Sequence, residues 1–336
     1  MTKRAIFDKK NVLVIGGAGF IGSHLCDELL KDAKVICIDN FSSGQEKNID
    51  HLLANPDFEF INHDITKTIV LEEYPELQKF KLEFQGIQEI YNLACPMSVK
   101  NFNRNKIETL LVNSHGVKNA LDLAVQYGAK FLHFSSSVVY GLFDDFEQKI
   151  PENYVGKIDH LSERAVYDEG KRFAETMVMN YREEYGIDAK IIRIFRTFGP
   201  RMPLGDDQMI PDFITNALDD KDLIIQGDAN FSSSFCYVSD CIDAAIKMMS
   251  SKFYGPMNIG SDVKVNLTSF AGKVIEAVKS KSKIVYAEEV LFMKPLCLPD
   301  LTKARNELGW LPIITLDTGL HKTIDDLRAK KGIIGF

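Results

Sequence analysis

Over its first two hundred residues the chain alternates short apolar runs with longer amphipathic stretches. "NVLVIGG", residues 11–17, is apolar for the length of one strand and ends in glycines. "SHLCDELLKD" comes next with Leu25, Leu29 and Leu30 at helical spacing. "KVICIDN", "FEFINHD" and "IQEIYNLA" repeat the strand pattern, and a helix is predicted from about Lys106 to Tyr127. "KFLHFSSS" is a further strand. "ERAVYDEGKRFAETMVMNYREEYG" reads as a long amphipathic helix closed by Gly186, and "DAKIIRIFRTFG" as the strand after it. Strands apolar throughout, with helices between them, predict a parallel sheet covered on both faces. The expected class is α/β, with a doubly wound parallel sheet.

The rhythm breaks near residue 200, where Pro200, Pro203, Gly205 and Pro211 fall close together. Beyond them lie short pieces, among them "KDLIIQGD" and "GPMNIGS". Two domains are expected: residues 1–195, and a smaller α/β domain over 196–336 with 235–258 returning to the first. Hydrophobic residues make up 45% of the 336 and charged residues 26%, which supports a core of that size. The formal charge of -7 argues against a nucleic-acid partner, which needs a basic surface. "MTKRAIFDKK" at the N-terminus has no apolar leader core, and no stretch approaches the ~18 apolar residues of a membrane span. No membrane association and a cytoplasmic location are therefore expected. The six cysteines lack CxxC spacing, and His24, His115 and His133 lack ligand-like spacing, so free thiols and no metal are expected.

Candidate chemistry begins at "GGAGFIG". Gly16, Gly19 and Gly22 lie between the first strand and the first helix. Glycines there permit a tight turn and let a pyrophosphate approach backbone N–H groups at a helix N-terminus. Asp39 ends the second strand, roughly 20 residues on, where a carboxylate accepts from ribose hydroxyls. The same carboxylate repels a 2′-phosphate, and "SSGQE" after it offers no arginine, so NAD is expected over NADP. Tyr167 is the only one of 11 tyrosines with a lysine, Lys171, four residues later. One helical turn puts both on one face. A phenol is a weak base at neutral pH, with an ordinary pKa of ~10, and a nearby ammonium favours its phenolate. The serine run "FSSSVVYG" closes the preceding strand and adds hydroxyls to this site.

Taken together, these stretches resemble the extended short-chain dehydrogenases/reductases of the NAD-dependent epimerase/dehydratase family, and within it the UDP-glucuronate decarboxylase branch. The resemblance spans about residues 10 to 330 and rests on "GGAGFIGSHL", "DNFSSG", "INHDIT", "NLACPMS", "RAVYDEGKRFAE", "RIFRTFGPRM", "YVSD" and "PDLTKARNELGW". It implies a Rossmann domain with a smaller C-terminal nucleotide-sugar domain, and hydride transfer at C4 of the sugar. It assigns Tyr167 as base, Lys171 as its activator and Ser136 as the hydroxyl partner. It places Gly16, Gly19, Phe20, Ile21, Gly22, Asp39, Asn40 and Ser42 at the cofactor. Asp64, Ile65, Leu93, Ala94, Asn113 and Ser135 join them, with Tyr167 and Lys171. Ser137, Arg196 and Arg201 are placed at the substrate. A homodimer built on the helices near 106–127 and 163–185 is also implied.

The chain departs from these relatives at telling positions. The decarboxylases carry Glu where Val138 stands, and 4,6-dehydratases carry an Asp-Glu pair at Ser137 and Val138. Dehydration needs an acid to expel the C6 hydroxyl and a base at C5, so it is disfavoured. Oxidising C4 of a glucuronate gives a β-keto acid whose loss of CO2 needs no enzymic acid, which keeps a decarboxylase-like outcome open. A 4-epimerase, whose loop is very like "SSSVVYG", and a net 4-dehydrogenase are the alternatives. A non-catalytic NAD- or nucleotide-binding homologue is the alternative of another class. Arg196 replaces a usual Asn, Ser233 a frequent Arg, and Cys297 with Leu298 a basic pair. Arg196 is expected to offer its fork of donors to a substrate phosphate. Residues 69 to 85 are longer than the matching decarboxylase stretch and read as a surface insertion with a helical turn.

Overall fold

The computed structural model describes residues 9–96, 105–141, 148–204, 209–226, 232–287 and 298–334. Seven strands make one parallel sheet: β1 (Lys10–Ile15), β2 (Ala33–Asp39), β3 (Phe58–Asn62), β4 (Glu89–Asn92), β5 (Lys130–Ser136), β6 (Ala189–Ile194) and β7 (Pro256–Ile259). Their order is β7-β6-β5-β4-β1-β2-β3. The chain winds outward from β1 in one direction and then, from β4, in the other. That reversal opens a crevice at the carboxyl ends of β1 and β4, where such sheets bind ligands.

The apolar runs are explained by burial on both faces. Val12 and Val14 of β1 face one core, and Leu13 and Ile15 face the other. On the first face lie α1 (Phe20–Leu29) and a later helix, Val238–Ser250. On the second lie α3 (Val117–Tyr127) and α4 (Ala165–Tyr185). The helix predicted from Lys106 to Tyr127 is two α-helices, α2 (Lys106–Leu111) and α3, joined by a π-turn at Val112–Gly116. A π-turn widens the helix by one residue and often marks a site; this one borders the crevice.

After residue 200 the elements are shorter. They are α5 (Met209–Leu218), α6 (Val238–Ser250), α7 (Leu267–Val278), α8 (Thr302–Leu308) and α9 (Leu316–Ile334). Strand Leu223–Gln226 pairs in parallel with Ile284–Ala287 to form a separate small sheet. Phe270 of α7 stacks between Phe213 and Phe235, with centroids 6.3 and 4.8 Å away. This apolar group is continuous with the first core. Residues 256–259 run beside β6 as the seventh strand, and α6 packs beneath β5 and β6. Two of the stretches that carry the family resemblance meet here. Trp310 is fully buried and its Nε1 donates to the Asp240 carbonyl at 3.0 Å. The Asp240 carboxylate accepts from the backbone N–H groups of Ile313 and Ile314 at 3.1 and 3.0 Å. Motifs "YVSD" and "ELGW" thus fasten the C-terminal segment to α6.

Residues 69–85 fill core rather than decorate the surface. They form 3₁₀ turns at Leu71–Glu73 and Pro75–Phe80 and a helical turn at Leu82–Gln85. Leu71 and Phe80 are fully buried and Leu77 is 1% exposed. Leu71, Tyr74, Leu77 and Phe80 recur every third residue, the period of a 3₁₀ helix, and all four join the second core. A reading tuned to periods of 3.6 and 2 passes over that pattern. No described helix is long and apolar enough to cross a membrane.

Candidate active site

The crevice holds a cleft of about 390 Å³ that runs from the β1–α1 turn to the end of β6. Its first half is built of backbone. Gly16 has φ +83°, and a Cβ there would lie 2.7 Å from the Ala94 nitrogen. A Cβ on Gly22 would lie 2.2 Å from the Gly16 carbonyl oxygen. Only glycine lets the turn fold back against β4 and α1 together. Gly19 caps α1 with no side-chain hydrogen bond, which leaves the first N–H groups of α1 facing the cleft for an anion.

Asp39 ends β2 in the same cleft. Its carboxylate accepts from the Ala18 N–H at 3.0 Å and the Phe41 N–H at 2.8 Å. Burial raises its pKa, and the backbone donors of Phe41, Ala18 and Asn40 oppose that rise. The loop returns so closely that a Cβ on Gly44 would sit 2.9 Å from both carboxylate oxygens. A fixed carboxylate with unused lone pairs suits a ribose diol, and no basic side chain lies between residues 40 and 44 to hold a 2′-phosphate. The residues present therefore fit NAD. Phe20, Ile21, Asn40, Ser42, Asp64, Ile65, Leu93 and Ala94 also line the cleft. Asn113 does not: its amide lies behind Cys95, donating to Sγ at 3.2 Å and to the Thr109 carbonyl at 2.9 Å.

The second half is built of side chains. Ser136 ends β5, and its Oγ caps the next 3₁₀ turn by accepting from the Val138 N–H at 3.4 Å. Tyr167 and Lys171 come from the first two turns of α4 and line the cleft together with Ser136. Lys171 Nζ donates to the Phe134 carbonyl at 2.9 Å. All three expected catalytic residues thus meet in one cleft. The Tyr167 phenol is pushed well above its ordinary pKa, first by burial and then by Cys95. The hydrogen bond with Ser136 and the charge of Arg164 pull it back. Val138 is 8% exposed and packs with Cys95 against the Tyr167 ring. His133, behind them on β5, is fully buried. Burial and Lys171 hold its pKa well below the usual value, so it stays neutral.

Ser135 and Ser137 line the cleft, yet the Ser135 hydroxyl turns away and donates to Glu175 of α4 at 2.5 Å. Glu175 in turn pairs with Arg193 of β6 at 2.6 Å. Arg196 faces the cleft just past β6. Burial and the charge of Arg164 lower its pKa to about 10. Arg201 does not line the cleft. It has φ +66°, and its guanidinium lies 2.7 Å from Asp27 of α1, while its N–H donates to Asp326 of α9 at 3.0 Å. Ser233 is buried, and its hydroxyl has no partner among the described residues. Cys297 lies outside the described residues. Among the described residues no group of His, Cys, Asp and Glu is arranged to hold a metal.

Sequence reasoning passed over Arg164 and Cys95. Arg164 sits three residues before Tyr167, a spacing that puts both on one helical face, so its signal was present. Cys95 announces itself only once β4 and α4 are brought together.

A doubly wound sheet with a glycine turn, a ribose-facing aspartate and a Tyr–Ser–Lys group in one cleft defines an NAD-binding oxidoreductase-type fold. The model of the NAD dependent epimerase/dehydratase family matches residues 12–260, and the chain belongs to that family. It is 37% identical over 322 residues to UDP-glucuronic acid decarboxylase 1 of Xenopus tropicalis, covering 96% of this chain and 73% of the relative. UDP-glucuronic acid decarboxylase 5 of Arabidopsis thaliana is 37% identical over 324 residues, 96% of this chain and 90% of the relative. Among solved structures, the UDP-glucuronic acid 4-epimerase of Bacillus cereus, with UDP-glucuronic acid and NAD, superposes with a TM-score of 0.82 at 27% identity, covering 95% and 99% of the two chains. The UDP-glucose 4-epimerase of Thermotoga maritima gives 0.83 at 26%, again covering 95% and 99%.

Proposed function

We propose that the protein converts a nucleotide-sugar by transient oxidation at C4 of the sugar, on a framework like that of the UDP-glucuronate decarboxylases. One observation carries the reading: Tyr167 and Ser136 meet inside the cofactor cleft, with Lys171 one helical turn along and an apolar Val138 at their side. When bound, NAD supplies the hydride acceptor and a positive charge close to the phenol. Tyr167 takes the proton of the C4 hydroxyl as that carbon is oxidised. Ser136 orients the hydroxyl, and the Lys171 ammonium favours the phenolate.

Val138 narrows the fates open to the C4 ketone. A uronate oxidised at C4 is a β-keto acid and loses CO2 without an acid at this position. Re-reduction of the ketone from its other face gives the C4 epimer instead, also without one. Expelling the C6 hydroxyl needs the acid that Val138 does not provide. The decarboxylase and epimerase relatives act on UDP-sugars, which are the first substrates to offer. With NAD-loaded protein and a panel of UDP-, dTDP-, GDP- and CDP-sugars, product mass decides. Loss of CO2 supports the decarboxylase-like outcome, and unchanged mass with inverted C4 the epimerase. Release of a keto sugar with NADH supports the 4-dehydrogenase. Loss of water would refute the role given to Val138. No turnover anywhere would favour a non-catalytic NAD-binding role.

We also propose a homodimer through α2, α3 and α4. Ile107 and Phe173 are 64% and 51% exposed, and Leu110 and Leu111 are exposed beside them. Clustered exposed apolar side chains mark an association surface. A sedimentation mass equal to one chain at micromolar concentration would refute this.

A further inference from the structure

Arg196 is a cation with no counter-ion among the described residues. A second cation, Arg164, acts on it, and the centroid of the Phe235 ring lies 6.0 Å from the guanidinium carbon. Arg196 is only partly exposed and lines the cleft; a charge drawn away from bulk water is seldom left unpaired, so a cation in a binding cleft points to a partner that arrives with the ligand. Arg164 is paired: its Nε donates to both Asp168 oxygens at 3.0 and 3.1 Å. Arg164, Asp168 and Arg196 together carry one net positive charge.

Position decides which part of the ligand meets that charge. Ser136 stands beside Ile194 in the sheet, so the chain passes Val138 and Arg196 two residues beyond the same rung. Arg164 acts electrostatically on both Arg196 and the Tyr167 phenol. The cationic patch therefore borders the reacting carbon, while the N-terminus of α1, across the cleft, serves the cofactor's phosphates.

We propose that Arg196, backed by Arg164, is a specificity-determining residue that grips an anionic substituent of the sugar ring, a carboxylate beside the reacting carbon, rather than the diphosphate. This rests on the nucleotide-sugar reading of the active site. A guanidinium meets a carboxylate through two parallel hydrogen bonds. The low dielectric of the cleft strengthens the contact.

The test uses ligands that share one nucleotide and differ at C6. UDP-glucuronate, UDP-glucose and UDP are titrated by calorimetry into NAD-loaded wild type, Arg196→Asn and Arg196→Lys. Wild type is expected to prefer the uronate over UDP-glucose by roughly 10- to 100-fold, the range of a charge-assisted pair. Arg196→Asn loses most of that preference while binding UDP and UDP-glucose as wild type does. Arg196→Lys keeps the charge without the fork and falls between. Equal weakening of all three ligands would put Arg196 on the diphosphate and overturn the proposal, and an unchanged preference would overturn it too. If wild type binds none of the three yet titrates NAD normally, the nucleotide-sugar reading itself fails. Melting temperatures of the variants confirm that each is folded.

Discussion

Tyr167→Phe lowers turnover by roughly 100- to 10,000-fold, the contribution of a positioned acid–base group, while NAD and substrate affinities stay near wild type. The substitution removes one oxygen and leaves the ring wedged against Val138 and Cys95, where Tyr167 is 3% exposed. No cavity opens, so stability is nearly unchanged. The pH dependence is set by the direction of the shift. Burial, then Cys95, raise the Tyr167 pKa, so the phenol holds its proton at neutral pH until neighbouring positive charge draws it off. The group that accepts the substrate proton is the phenolate. Wild-type activity must therefore fall as pH is lowered, whereas the residual activity of the variant loses that limb. Stopped-flow absorbance of bound NADH after mixing with nucleotide-sugar reads both quantities. A Phe variant that reduces bound NAD at the wild-type rate would remove Tyr167 from the chemistry.

The second large effect is at the glycine turn. Gly22→Ala places a methyl 2.2 Å from the Gly16 oxygen, 2.8 Å from Gly17 Cα and 3.0 Å from the Gly16 carbonyl carbon. All three are backbone atoms and cannot swing aside. Either α1 moves out or the turn opens, and both separate the helix N-terminus from the site it serves. Overpacking of this kind costs about 1–3 kcal/mol of stability. The loss in NAD affinity should be about 100-fold or more, because the turn, its N–H groups and Asp39 act on one ligand together. Gly19→Ala is the informative contrast. Its methyl would meet only the Gly16 oxygen, at 3.3 Å, so the fold survives and cofactor affinity is read by itself. Calorimetry with NAD and thermal unfolding of both variants check this; a Gly22→Ala protein that binds NAD like wild type would contradict it.

The sheet was legible in the sequence because each of its strands is short, apolar and bounded by polar turns. The β1–α1 turn and Asp39 were legible because their spacing is local. What escaped lies in contacts between distant segments. Leu71, Tyr74, Leu77 and Phe80 repeat every three residues, and only their burial shows that the stretch belongs to the core. Arg201 sits in a motif that resembles a substrate-binding one, yet Asp27, 174 positions earlier, meets its guanidinium outside the cleft. The pairing of Trp310 with Asp240 explains two recognisable motifs by fastening rather than by catalysis. Arg164 is the opposite case. Its spacing from Tyr167 was visible, but its meaning required Arg196 to arrive from the loop after β6.

The position of β7 governs the order in which this protein can be completed. β6 ends at Ile194, and the strand that pairs with it begins at Pro256, about three-quarters of the way along the chain. During synthesis β6 must wait as an unpaired sheet edge while some sixty more residues are made. Ile191, Ile192 and Ile194 give that edge an apolar character, which invites pairing with other chains. Lys190 and Arg193 interrupt the run with charge, as sheet edges that must stay single commonly do. In the finished fold Lys190 is fully buried near the Tyr254 ring, and Arg193 is paired with Glu175. Both charges end inside, so the residues that break the apolar run of this edge are also the ones the finished fold must pair, Lys190 with Asp188 and Arg193 with Glu175.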